Sequence, residues 1–123
     1  MNRFPDNVVT WIAKSKILGI RAGFGPHRII GIWAVVVERR VFVRSWSMKE
    51  RSWWRTLLED PSGIIEVDGK QIPIRAVRTR SERLKDAIDD AYAAKYNTPG
   101  SLQYVKDFRT KKRRDTTTEL VPA

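Results

Sequence analysis

The chain has 123 residues, 24 Lys and Arg against 14 Asp and Glu for a formal net charge of +10, and no cysteine. Such a length suits one domain around one core, and the missing thiols exclude disulfides, thiol nucleophiles and cysteine-ligated metals. The positive excess favours anionic partners: nucleic acid, acidic lipid or phosphorylated small molecules.

The opening "MNRFPDNVV" lacks the apolar core of a signal peptide. The longest apolar run, Ile32 to Val37, is far too short to span a bilayer. Both features predict a soluble, cytoplasmic protein without a membrane partner.

"DNVVTWIAK", residues 6–14, predicts a short helix with Asp6 as N-cap and Val8, Val9 and Ile12 on one face. "KILGIRAG" reads as a strand and "FGPHR" as a turn. "IIGIWAVVVE" is rich in β-branched and aromatic residues, which predicts one strand buried on both faces. Glu38-Arg39-Arg40 makes a tight turn into "VFVRSW". There Val41, Val43 and Ser45 point one way and Phe42, Arg44 and Trp46 the other.

A helix follows. Ser47-Met48-Lys49-Glu50 fits a capping box, and Ser52 is a rival N-cap. Trp54, Leu57 and Leu58 form an apolar stripe that Asp60-Pro61-Ser62-Gly63 stops. "GIIEVDGKQIPI" predicts two strands, 64–68 and 70–77, around an Asp68-Gly69 hairpin turn. Pro73 has no N–H for a ladder, which predicts an edge or a bulge.

Residues 81–96 predict a helix that buries Leu84, Ile88, Ala91 and Tyr92 and leaves Glu82, Asp86, Asp89 and Asp90 on a solvated face. Asn97-Thr98-Pro99-Gly100 ends it, and "SLQYVKDF" forms a further short helix. A basic "KKRRD" connector leads into a last strand, "TTTELV". Short connections favour antiparallel pairing. About six strands with few helices predict a mainly β fold, a small closed barrel with flanking helices. It occupies residues 1–123 as a single domain, with an N-terminal helix over 1–15 and the barrel over 16–122.

Familiar catalytic constellations are missing. His27 is the single histidine, and acid–base work needs a positioned partner for it. No nucleophile elbow, Walker loop or Gly-x-Gly-x-x-Gly is present. Asp89 and Asp90 project about 100° apart on a helix and make a poor chelate.

What stands out is "RSWSMKERSWWR", residues 44–55, which holds three of the five tryptophans among four basic residues and one acidic residue. Arg51 and Arg55, if both helical, stand at i, i+4, where like charges repel mildly. An anion between them would reverse that cost, because guanidinium forks match phosphate oxygens. Arg44 at the strand end and the positive helix N-terminus complete a phosphate seat. Trp46 and Trp53 read as either stacking platforms or core, and Trp54, which leads the apolar stripe, reads first as core. Lys106, Arg109 and Lys111 to Arg114 read as a solvated connector; the alternative is a nucleic-acid patch working with exposed tryptophans.

From Ile17 to Val121 the chain resembles a family of small uncharacterised proteins, catalogued as a domain of unknown function. These look related to deazaflavin-dependent nitroreductases and, more distantly, to FMN-binding split barrels. The resemblance is carried by "GPHRIIGIWAVVV", by "VFVRSW", by "ERSWWR" opening a helix and by "IDDAYAAKY". It implies a six-stranded antiparallel split barrel with a cofactor site beside the third strand and the helix after it. Carried over by position, the phosphate-holding residues are Arg28, Arg44, Lys49 and Arg51, with Ser45, Trp46 and Trp54 in the same site. The implied ligand is a phosphorylated planar molecule, FMN or a deazaflavin, and the implied activity is that of an oxidoreductase. The resemblance also suggests a homodimer. The alternatives are a non-enzymatic nucleic-acid-binding module and a cofactor-free barrel acting by dimerisation.

Overall fold

β-branched and aromatic runs pair into one antiparallel sheet of seven strands in the order β2-β1-β5-β6-β7-β4-β3. The computed structural model describes residues 3–23, 28–47, 49 and 52–123. The strands are β1 (Leu18–Ala22), β2 (Ile30–Ile32), β3 (Ala34–Val37), β4 (Arg40–Val43), β5 (Ser62–Val67), β6 (Lys70–Arg78) and β7 (Thr118–Pro122). The helices are α1 (Asp6–Lys14), α2 (Trp53–Glu59), α3 (Glu82–Lys95), α4 (Leu102–Phe108) and the single turn α5 (Lys111–Arg114).

Closure follows from connectivity. β2 and β3 are the two ends of the sheet order, yet only Trp33 separates them. One residue bridges only about 7 Å between the flanking Cα atoms, so the two edges lie side by side and the sheet curls into a nearly closed barrel. The run "IIGIWAVVVE" is therefore two strands broken at Trp33, and this break supplies the seventh strand where six were expected.

Side-chain alternation sorts the core. Leu18, Ile20, Val41, Val43, Ile65, Ile74 and Leu120 face one cluster, which α1 joins through Val8 and Ile12 and α2 through Leu57. Val35 and Phe42 face the other way, against Leu84, Ile88, Tyr92 and Tyr96 of the α3 segment and Val105 and Phe108 of α4. Fully burying a Leu, Ile or Phe side chain stabilises by about 1.5–3 kcal/mol, so these two clusters fix both the barrel interior and the α3–α4 layer. Phe42 and Arg44 share the outward side of β4, as the alternation in "VFVRSW" predicts.

The hairpin at Asp68-Gly69 forms as expected, with both residues at positive φ, 54° and 72°, and Val67 opposite Lys70. Glu38 and Arg39 also take positive φ, 54° and 62°, without the help of glycine. Ion pairs of Glu38 with Arg83 and of Arg39 with Asp6 hold that turn from outside. Pro73 is not on an edge: β6 lies between β5 and β7. The Pro73 carbonyl accepts from Ala123 N–H at 3.2 Å, so its nitrogen also points toward β7, where that strand has ended at Pro122. The proline therefore costs only the second bond of the last pair, with Ala123 at the chain end. Pro5, not Asp6, occupies the N-cap of α1, and Asp6 serves as the acid of its first turn.

Candidate functional site

The Trp33 break opens a cleft of about 350 Å³ on the outside of the barrel, between β2, the segment after β4 and α4. Five aromatic side chains line it: Trp33, Trp46, Trp53, Tyr104 and Phe108. Trp33 stacks on Tyr96 with ring centroids 4.1 Å apart and planes within 7°. Tyr104 and Phe108, one turn apart on α4, meet both tryptophans edge-on. Their centroids lie 6.1 Å from that of Trp33, and 5.1 and 5.9 Å from that of Trp46. Trp46 remains 41% exposed. Edge-to-face packing fixes the rings, and the exposed part of Trp46 remains within reach of a planar ligand.

Below the aromatic walls runs a polar column. The Tyr92 hydroxyl donates to the Trp33 carbonyl at 2.9 Å and accepts from the Arg44 N–H at 3.1 Å. Burial pushes its pKa above the ordinary tyrosine range, opposed by the charge of Arg44. One phenol thus pins the strand break to the end of β4.

Arg44 requires a correction. Its side chain is 0% exposed and four of its five N–H donors are spent inside the protein. Nε donates to Thr117 Oγ1 at 2.8 Å, Nη1 to Asp89 Oδ1 and to the Phe108 carbonyl, and Nη2 to the Lys85 carbonyl at 3.0 Å. Burial lowers its pKa, against the opposing pull of Asp89. A guanidinium so engaged has no fork left for a phosphate. It ties β4 to α3, α4 and the chain before β7 instead. Asp89, expected on a solvated face, is buried and pairs with both Arg44 and Arg114.

The other expected site residues scatter. Ser45 is buried: its N–H donates to Thr116 Oγ1 at 2.9 Å and its hydroxyl to the Ser47 carbonyl at 2.6 Å. Its hydroxyl is therefore unavailable to a ligand. Trp54 is buried and lines a different depression, between α2 and β6, so it joins the core and not the aromatic cleft. Trp53, for which stacking platform and core stood as alternatives, lines the cleft and also packs against the first core cluster. Arg28 and Lys49 are exposed. Arg51 lies outside the described residues, as do His27 and the Met48 and Glu50 of the expected capping box. The rival Ser52 caps α2, its hydroxyl accepting from Arg55 N–H at 3.3 Å. Helix α2 therefore begins at Trp53 and places Arg55 over the Trp54 ring at 5.5 Å.

The basic tail is more structured than a connector. Arg109 pairs with Asp90, Lys111 with Asp115, and Arg114 with Glu82, Asp86 and Asp89. Arg113 instead lies over the Trp46 ring, its guanidinium carbon 5.0 Å from the centroid. The sequence assigned no site role to Trp33, Tyr104 or Phe108, and offered Arg113 only as one of the basic cluster weighed as a connector against an anion site. The one available signal was Tyr104 and Phe108 at i, i+4, a spacing that puts two aromatic rings on one helix face.

No group of three or more metal-binding side chains occurs among the described residues. No described helix is long and apolar enough to cross a membrane.

Residues 12–120 match the family described as uncharacterized proteins conserved in bacteria, DUF2255, and the chain belongs to it. No curated protein matches the sequence. Among solved structures, the chain is similar to the conserved hypothetical protein Rv2991 from Mycobacterium tuberculosis, at 11% identity and a TM-score of 0.59 over 99% of this chain and 81% of that one. It is also similar to a NimC/NimA family protein from Clostridium acetobutylicum, at 13% identity and a TM-score of 0.60 over 94% of this chain and 78% of that one. At such identities the likeness extends to the fold, a mainly β, nearly closed antiparallel barrel with flanking helices.

Proposed function

We propose that this DUF2255 protein binds a flat, phosphorylated ring system of the flavin or deazaflavin class in the aromatic cleft and works as an oxidoreductase. One observation carries the reading: five aromatic side chains from four separate segments converge on a single cleft. Packing alone does not require that arrangement, because Trp46 and Tyr104 are each 41% exposed. Small-molecule sites of about 300–1,000 Å³ with apolar walls are the usual form, and this cleft falls within that range.

The residues fit the two halves of such a ligand unequally. Trp33, Trp46 and Trp53 offer surfaces for the ring, while the phosphate falls to cations at the rim, since Arg44 is occupied. A bound flavin or deazaflavin supplies the hydride chemistry itself. The chain's own part is to hold the ring, exclude water with apolar walls and hold the wall rigid through Tyr92 and Arg44. The lone histidine and missing cysteine are no obstacle to such an enzyme.

The test is tryptophan-fluorescence titration with FMN, a deazaflavin and a single-stranded oligonucleotide, in wild type and Trp46→Ala. Saturable quenching by a ring ligand, weakened at least tenfold in Trp46→Ala, supports the reading. Quenching by the oligonucleotide alone, with steep salt dependence, would replace it with the nucleic-acid one.

A further inference from the structure

We infer that Arg113, from the single-turn helix α5, receives the anionic group of the cleft's ligand; this rests on the reading of the cleft as a ring site. Three observations converge on it. First, Arg113 is placed by a relay and not by chance. The Ser45 N–H donates to Thr116 Oγ1 at 2.9 Å, and the Thr116 hydroxyl donates to the Arg113 carbonyl at 2.7 Å. This relay locks α5 against the end of β4, one residue from Trp46.

Second, Arg113 has no carboxylate among the described residues, although Arg109, Lys111 and Arg114 do. Asp90 is taken by Arg109, Asp115 by Lys111 and Lys85, and Glu82, Asp86 and Asp89 by Arg114. Its Nε is buried with no hydrogen-bond partner among the described residues. A buried orphan donor costs free energy until an acceptor arrives.

Third, its guanidinium lies 5.0 Å from the centroid of Trp46, whose ring lines the cleft. Arg113 is one ring away from the lining. A planar molecule in contact with Trp46 therefore brings a phosphate-bearing chain past the ring edge to this guanidinium. Arginine suits the place because it stacks on an aromatic face and still presents donors in its plane.

The probes are inorganic pyrophosphate, FMN, and riboflavin, which shares the ring of FMN and lacks its phosphate. In 15N NMR at low ionic strength, pyrophosphate is expected to shift the Arg113 Nε–H and Trp46 indole signals. The Trp46 shift should be lost in the Arg113→Met variant. By fluorescence, Arg113→Met should weaken FMN by roughly tenfold to a hundredfold, the effect of one charge-assisted hydrogen bond, and leave riboflavin unchanged. Unaltered riboflavin binding also certifies that the variant is folded. If pyrophosphate leaves Arg113 unmoved and Arg113→Met binds FMN as wild type does, the inference is overturned while the ring site stands. If pyrophosphate shifts Arg113 but neither flavin binds, the anion site is upheld and the flavin reading falls.

Discussion

Replacing Arg44 by alanine separates two accounts of the same residue. If it were a phosphate holder, the change would weaken a ligand and spare the fold. The structure places it at the junction of β4, α3, α4 and the approach to β7, fully buried and bonded to Asp89, Thr117 and the carbonyls of Phe108 and Lys85. Truncation removes one partner of a buried ion pair, a loss of about 3–5 kcal/mol. The two carbonyls lose these bonds as well, and Asp89 keeps only Arg114. Small domains hold about 5–15 kcal/mol in total, so the expected loss is a large share of it. With a urea dependence of about 2 kcal/mol per molar, the unfolding midpoint should fall by about 2 M. Exposed Arg28→Ala serves as the control and should move stability by less than about 0.5 kcal/mol. An Arg44→Ala midpoint equal to wild type would refute the buried-junction reasoning.

Other perturbations give distinct signatures. Gly69→Ala strains a hairpin position at φ 72° and should cost about 1 kcal/mol in the same urea assay; a neutral result would mean the turn changes type. Arg114→Gln removes the ion-pair partner of Asp86 and one of two partners each of Glu82 and Asp89, and should destabilise, whereas Lys112→Gln should not; equal midpoints would make the tail the solvated connector its composition suggested. Burial raises the Tyr96 pKa to about 12 and that of Tyr92 upward as well, against about 10 in the unfolded chain. The unfolded state thus releases its phenolic protons first. The contribution of these two phenols is full below pH 10 and falls as pH rises toward 12. Melting temperatures that stay flat from pH 9 to 11.5 would contradict this, and Tyr96→Phe should flatten the decline.

How much of this was legible in the sequence depended on the range of the interaction. Local chemistry was readable: Asp68-Gly69 specifies its hairpin through positive φ, and the periodic 81–96 segment forms α3. The outward direction of Phe42, Arg44 and Trp46 followed from alternation within one strand. What escaped depends on distant partners. Arg44 looked like a surface cation because its acceptors lie 41 to 73 residues away. Asp89 looked solvated because the two arginines that bury it come from β4's end and α5. The cleft itself was half visible. Trp46 and Trp53 belong to one conspicuous segment, but Trp33 acts through the barrel break and Tyr104 and Phe108 through α4 packing. No local pattern brings those together.

The five indole N–H signals provide the most direct measurement. Trp33, Trp46 and Trp53 line the cleft, Trp11 packs against the barrel core, and Trp54 lines the depression between α2 and β6. In a 15N NMR titration with FMN and with a deazaflavin, the account predicts saturable shifts of the Trp33, Trp46 and Trp53 signals with one ring ligand at least, while Trp11 and Trp54 stay in place. Ring ligands that leave all five unmoved, or that move Trp54 and spare Trp46, would contradict it.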